Sequence, residues 1–298
     1  MSALRNILAA TDFSEAADNG LARATILSHD VSADLIFVHV FNRDASDRLL
    51  QWGIEKLKQP DLEKIALDAL GERLSGVVDE FGQSGQTIGA EVRCGALIPT
   101  LNTALVELKA DLLVCAARGE SLFRHHLLGS TALRMLHTAR IPVLVVKSAP
   151  SATYGKVLLA ADFSEGSMTG ARWARAVAPD ASMSILNVTE SPFEHAIYVS
   201  NIEEVLMGKY RDQAKRESET SLRELRDQIE KSLGVSLTND QLITHQGDAA
   251  HTIVEQAQAL GCDLIVMGRH GTGVLQERLL GSVTKQVLEA SPVDVLVV

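Results

Sequence analysis

The sequence predicts an α/β protein of two tandem doubly wound domains, each a five-stranded parallel sheet with helices on both faces. Three observations predict it. The chain repeats itself after about 150 residues, short apolar runs alternate with helical patterns in each copy, and the apolar content is aliphatic. Of 298 residues 46% are apolar but only 4% are aromatic, so the core must be built from Val, Ile, Leu and Ala. Such runs suit strands that are buried on both faces, as parallel strands under helices are.

The repeat is carried by whole words in order. Asn6-Ile-Leu-Ala-Ala-Thr-Asp12-Phe-Ser-Glu15 answers Lys156-Val-Leu-Leu-Ala-Ala-Asp162-Phe-Ser-Glu165, and Gly20 answers Gly170. Val38-His39-Val40 answers Leu186-Asn187-Val188, Gly95 answers Gly247, and Asp111-Leu-Leu-Val114 answers Asp263-Leu-Ile-Val266. Gly129-Ser130 answers Gly281-Ser282, and Val143-Leu-Val-Val146 answers Val295-Leu-Val-Val298. Two copies are too few for a solenoid, so this is a tandem duplication of one domain. Domain 1 is expected over 1–147 and domain 2 over 156–298, with a Pro, Ser and Gly-bearing linker at 148–155.

Strands are expected near 6–11, 34–40, 88–93, 111–116 and 142–146, then near 156–161, 182–188, 240–245, 263–268 and 293–298. Between them lie helical patterns; the second helix of copy two is long and charged, roughly Ile202–Leu233, with an apolar stripe of Leu222, Leu225, Ile229 and Leu233. Strand–helix alternation implies right-handed crossovers and a ligand crevice at the carboxyl ends of the strands, where strand order reverses. The first and fourth strands should flank it. Asp12 and Asp162 end first strands, while Gly119 and Gly271 follow fourth strands. The short closing strands are expected edges, to be covered by pairing in an intramolecular pseudo-dimer of the two domains.

Composition excludes several classes. A net charge of −10 argues against non-specific binding to nucleic acid or anionic membranes. No apolar stretch reaches the length of a membrane span and no basic-then-apolar leader is seen, which points to the cytoplasm. Cys94, Cys115 and Cys262 show no CxxC spacing, and Cys115 and Cys262 read as inert core thiols.

The chemistry concentrates near the C-terminus. A buried-strand pattern ending at Met267 is followed by Gly268-Arg269-His270-Gly271 and, nine residues on, by Gly281-Ser282-Val283-Thr284 at a helix start. Glycines allow close approach of backbone to a phosphate, and the unpaired N–H groups of a first helical turn point at it. Ser282 and Thr284 are expected to add hydroxyl donors. Neither a dinucleotide fingerprint nor a P-loop is present, because the glycine order and the missing Gly-Lys-Ser/Thr rule them out.

Gly268-x-x-Gly271-x9-Gly281-Ser282 resembles the nucleotide-binding motif of the universal stress protein family, in its ATP-binding branch. The resemblance covers nearly the whole chain and implies the adenine nucleotide alpha hydrolase-like fold. It implies ATP, accompanied by Mg²⁺, as the ligand of domain 2. It implies that Asp162 contacts adenine and that Val188 lines the base. Met267, Gly268, Gly271, Gly281, Ser282, Val283 and Thr284 would form the loop and helix start around the phosphates. Arg269 and His270 lie in the same loop as candidates to reach the phosphates, with an ordinary surface position as their alternative, and N-capping of the helix near Ser164 is the alternative for Asp162. A regulatory, stress-related binding role follows, without fast catalysis; slow ATP hydrolysis or self-phosphorylation at Ser282 is the enzymatic alternative. A homodimer and a protein partner are left open.

Copy one departs from the pattern. Ala116 stands for Gly268 and Ala132 for Thr284. If the backbone there needs a positive φ or a close phosphate, Ala costs about 1 kcal/mol or more. Domain 1 therefore reads as structural or as specific for another ligand. A metal held by Asp12, His39, His125 and His126 is the sharper alternative, but adjacent histidines on one element diverge, and scattered polar histidines with no metal are the preferred reading.

Overall fold

The computed structural model describes residues 4–41, 59–82, 87–118, 128–189, 204–270 and 280–298, with the backbone alone at 59–63, 204–207 and 209–211. Two compact units divide the chain, Met1–Thr153 and Tyr154–Val298.

Unit 1 runs β1 (Asn6–Thr11), α1 (Glu15–Val31), β2 (Asp34–Phe41), α2 (Gln59–Phe81), β3 (Ile88–Cys94), α3 (Leu97–Glu107), β4 (Leu112–Ala116), α4 (Ser130–Thr138) and β5 (Val143–Val146). All its strand pairs are parallel, in the order β3-β2-β1-β4-β5. Unit 2 runs β6 (Lys156–Ala160), α5 (Glu165–Val177), β7 (Ser182–Thr189), α6 (Glu204–Leu233), β8 (Leu242–Gln246), α7 (Ala249–Leu260), β9 (Leu264–Met267), α8 (Ser282–Ala290) and β10 (Asp294–Val297). Its order, β8-β7-β6-β9-β10, is the same topology. The doubly wound fold expected from the alternation is what forms. Each sheet reverses its order between the first and fourth strands, β1 with β4 and β6 with β9.

The aliphatic runs form the cores. Leu112, Leu113 and Val114 of β4 and Leu264, Ile265 and Val266 of β9 have no accessible surface, because helices cover both faces of these central strands. In α6 the stripe of Leu222, Leu225 and Ile229 is buried while Leu233 is half-buried, and Ser218 extends the buried face one turn toward the N-terminus. The helix is described from Glu204; Ile202, the expected first residue, lies outside the described residues.

Two strand starts differ from expectation for one reason. β4 and β9 begin at Leu112 and Leu264, after their aspartates. Asp111 Oδ2 instead accepts from the backbone N–H of Arg5 (2.9 Å) and Asn6 (3.0 Å). Asp263 does the same in unit 2, Oδ2 to Gly155 N (2.8 Å) and Oδ1 to Lys156 N (3.2 Å). Each carboxylate clamps the start of its unit's first strand. The strand expected from 240 begins at Leu242, because Asn239–Gln241 is a 3-10 turn held by a reciprocal Thr238–Gln241 capping box.

Unit 2 also buries a polar pair. Tyr154 and Asp294 are 4% and 3% exposed, and the Tyr154 hydroxyl donates to Asp294 Oδ2 at 2.6 Å. A buried carboxylate oxygen that loses its donor costs about 1–3 kcal/mol. Tyr154→Phe is therefore expected to lower the unfolding free energy of unit 2 by about that amount, read as a fall in the urea midpoint. An unchanged midpoint would show that the hydroxyl contributes nothing net.

Candidate functional site

In both units the site begins with a turn that only the local polar groups allow. Phe13 and Phe163 follow the site aspartates with φ of 61° and 62°, a left-handed conformation that is costly for a bulky side chain. The preceding carboxylate supports it by bonding two residues ahead. Asp12 Oδ1 accepts from Ser14 N (3.1 Å), and Asp162 Oδ1 from Ser164 N (3.1 Å). The Asp-Phe-Ser word repeats, and its Asp-x-Ser spacing was the available signal for this turn.

Asp162 is not the cap of α5; that position is Ser164. Its Oδ1 accepts three bonds, from Ser164 N, from Ser164 Oγ (2.6 Å) and from Ser167 Oγ (3.0 Å). Its Oδ2 is buried and has no partner among the described residues. A buried acceptor left unpaired is rare and needs an explanation.

The strand end beside it is held by side-chain amides and rings. Asn187 Nδ2 donates to Ala161 O at 2.7 Å, and Asn187 Oδ1 accepts from Ser218 Oγ of α6 at 2.8 Å. Val188 follows, half-buried. In unit 1, His39 takes the place of Asn187, with Nδ1 2.9 Å from Thr11 O. A carbonyl only accepts, so Nδ1 carries the proton and the neutral ring presents Nε2 as an acceptor. The ring also packs on Phe13 (centroids 4.5 Å apart), and the Arg73 guanidinium lies 4.4 Å from the other ring's centroid.

The loop after β9 is fixed at its base by backbone bonds. Arg269 N donates to Val298 O (2.9 Å), and Gly281 N donates to Arg269 O (2.9 Å). Gly281 is the N-cap of α8 and supplies no side-chain bond to the first-turn N–H groups; Ser282 is exposed and Val283 half-buried. Met267 is buried, while Gly268, Arg269 and His270 are half-buried. Burial pulls the Arg269 guanidinium below its ordinary pKa. His270 Nδ1 is buried with no partner among the described residues. Gly271 lies outside the described residues, as do Gly119, His125 and His126.

Two expectations are corrected here. Thr284 does not present its hydroxyl at the helix start. It is 3% exposed and donates to Gly268 O at 3.0 Å, because the third helical residue points back under the loop. Gly268 does not have a positive φ either; the positive-φ glycines among the described residues are Gly95, Gly234, Gly247 and Gly261. What Gly268 and Gly281 provide is room. A Cβ on either would meet a loop carbonyl, His270 O or Arg269 O, at 3.3 Å. A Cβ on Gly268 would also come within 3.9 Å of Gly166 Cα, so the loop lies against the start of α5 and the turn after Asp162.

Unit 1 keeps this frame. Ala117 N donates to Val146 O (2.8 Å), Gly129 N donates to Ala117 O (2.8 Å), and Gly129 is again an N-cap without a side-chain bond. The Ala132 substitution therefore removes a tie beneath the loop, not a ligand donor. At this end of the sheet, between Asp12, His39, Ala116 and Ser130, unit 1 holds a cavity of about 330 Å³. Cys115 lines it, with its thiol pushed up to about 12 by burial; in unit 2 burial pushes the Cys262 thiol up to about 11. Among the described residues no group of three His, Cys, Asp or Glu side chains could hold a metal. No described helix is long and apolar enough to cross a membrane.

The sequence model of the universal stress protein family matches twice, at residues 3–147 and 153–298. The chain belongs to the universal stress protein family. Universal stress protein G of Shigella flexneri is 30% identical over 133 residues, 45% of this chain and 90% of that protein. Universal stress protein YxiE of Bacillus subtilis is 31% identical over 153 residues, 49% of this chain and 99% of it. A universal stress protein structure from Archaeoglobus fulgidus is similar across 98% of this chain and 97% of that one, with a TM-score of 0.65 at 20% identity, a likeness of fold. This universal stress protein thus carries two family domains, matched over nearly its whole length.

His39 makes domain 1 sensitive to acid. Burial lowers its pKa below 6.5; the hydrogen bond to Thr11 and the Asp12 carboxylate push it back up without cancelling, and Arg73 adds to the lowering. With the folded pKa below the unfolded one, the stabilising contribution is full above pH 6.5 and is lost as pH falls through the folded value. His39→Asn keeps a donor for Thr11 O, as Asn187 does for Ala161. The wild type is expected to lose more thermal stability than His39→Asn between about pH 7.5 and pH 5.5. Parallel melting curves across that range would contradict this.

Proposed function

We propose that the second domain binds ATP at the β6–β9 switch point and that the protein is a cytoplasmic, nucleotide-responsive regulator in stress resistance. The observation that carries the reading is the buried Oδ2 of Asp162, without a partner among the described residues, just past β6, whose neighbour β9 leads into the loop before the start of α8. An adenine amino group is the donor that Oδ2 lacks, and Val188 and Met267 are the apolar neighbours for the base. The first-turn N–H groups at Ser282 and Val283 suit phosphate, and Gly268 and Gly281 keep the loop tight enough for it. Thr284 acts beneath the loop by holding Gly268 O. Arg269, His270 and Gly271 belong to the loop that would face the phosphates. Mg²⁺ would enter on the phosphate chain, since such ions are commonly held by substrate phosphates with few protein ligands.

The reading is one of binding rather than turnover. Beside Ser282 the loop offers His270 as a candidate base, its Cα within 3.7 Å of a Cβ built on Gly281. ADP release or phosphate transfer to Ser282 would move the protein to the enzymatic alternative.

Calorimetric titration of nucleotide-stripped protein with ATP and Mg²⁺ tests the reading. Asp162→Asn keeps the Oδ1 acceptor of the turn but puts an amide donor toward the base. It is expected to weaken ATP by about tenfold or more, with inorganic triphosphate unaffected. Gly281→Ala should weaken both. Absence of ATP binding to the wild type at about 1 mM would end the nucleotide reading.

A further inference from the structure

We propose that Asn187 and Ser218 form a buried relay that couples occupancy of the domain 2 site to the order of the N-terminal half of α6, with Ser218 as a positioning residue for that site. The inference rests on the nucleotide reading of domain 2 and names the element that reports it.

The relay begins next to the acid. Asp162 Oδ2 is the atom the base would engage, and the carbonyl directly before Asp162 belongs to Ala161. Ala161 O accepts from Asn187 Nδ2 at 2.7 Å, and Asn187 Oδ1 accepts from Ser218 Oγ at 2.8 Å. Asn187 and Ser218 are 6% and 3% exposed, so breaking either bond strands a polar atom away from water. Val188, the apolar neighbour of the base, follows Asn187 on β7. A ligand held by Asp162 and Val188 therefore steadies the residue on each side of the Asn187 amide, and with it the acceptor that Ser218 needs.

At the other end of the relay α6 is held by little else. None of the described side chains from 208 to 217 is buried, and Ser218 is the first that is. The apolar anchors Leu222, Leu225 and Ile229 all come later. Before Ser218 the helix has local support such as Gln213 Nε2 donating to Glu217 Oε1 at 2.9 Å, an exposed bond. A helical segment of about 12–15 residues is marginal in water without a packed face. The order of 204–217 thus depends on how firmly the helix is gripped at Ser218, which is the end the relay controls.

Domain 1 lacks this connection. His39 stands where Asn187 does and bonds Thr11 O through Nδ1, and among the described residues no α2 side chain bonds to it. Helix α2 meets the turn instead with the exposed Arg73, over the Phe13 ring. The coupling is reciprocal, as any coupling between two sites is. If ATP steadies 204–217, a partner that grips this half of α6 tightens ATP by the same factor.

Amide hydrogen exchange of the full chain, with and without ATP and Mg²⁺, tests the relay, and calorimetry on the same samples reports binding and saturation. ATP is expected to slow exchange of the 208–217 amides about tenfold in the wild type. Ser218→Ala removes the donor from α6. Asn187→His removes the acceptor from β7 and keeps a ring N–H for Ala161 O, as His39 does for Thr11 O. In each variant, saturated with ATP, the ratio of exchange without and with ATP is expected to fall below about twofold. A merely structural Ser218 would raise exchange in both states and leave the ratio as it was. Slow exchange in Leu264–Met267 of β9 reports that a variant is folded. No binding heat from the wild type at about 1 mM ATP overturns the nucleotide reading and the coupling with it. Heat with unchanged exchange at 208–217 overturns the relay alone. So does a wild-type ratio kept by the folded variants, or a loss of ATP affinity larger than the wild-type ratio, which would make these side chains part of the binding itself.

Discussion

The structure depends on a junction made of backbone alone. At the end of the fourth strand the chain bonds to the end of the fifth and then to the N-cap of the helix between them. In domain 2 these are Arg269 N to Val298 O and Gly281 N to Arg269 O; in domain 1 they are Ala117 N to Val146 O and Gly129 N to Ala117 O. No side chain takes part. The helix start is therefore aimed over the sheet whether the junction carries Arg269 or Ala117. This is why two copies can exchange glycine for alanine, asparagine for histidine and threonine for alanine around the crevice while its frame stays the same. A junction of side chains would have tied the chemistry of one copy to the other.

What changes between the copies is what remains after the structural duties are met. Asn187 and His39 both hold the carbonyl that ends the first strand. Asparagine then has its oxygen taken by Ser218 on the long α6, which joins the strand end to that helix through a buried bond. Histidine instead leans on Phe13 and lines the cavity. Thr284 and Ala132 differ in the same way: one secures Gly268 O from below, and the other does without that tie. Substitutions that look like loss of a binding group are, at this site, changes in which group is left over.

The topology was legible in the sequence because it rests on period and order. The aliphatic runs of β4 and β9 and the repeated words settle which strands are central, and no long-range geometry is needed to read them. The site was legible as a set of positions but less so as a set of roles. Thr284 was visible as a hydroxyl at a helix start, yet its direction depends on where the cap falls, and with Gly281 as cap it faces the core. Gly268 was visible as a glycine, but close packing against His270 O, and not φ, is what it answers. The Asn187–Ser218 bond joins residues 31 apart on two elements whose rotational phase no local pattern sets. The left-handed Phe13 and Phe163 had a local signature in Asp-x-Ser, which read equally as a helix cap.

The aspartates at the start of β4 and β9 have a consequence for how the chain is made. Each clamps a strand that precedes it by more than a hundred residues, Asp111 to Arg5 and Asp263 to Gly155. That first strand is also central, with its second neighbour supplied by the fourth. On the ribosome the earliest strand of each domain can pair on one side soon after it emerges, and must then wait with its other edge open. Sealing comes only when the clamping carboxylate arrives. Each domain is thus finished from the middle outward, and its central first strand is the one left with an open edge longest during synthesis.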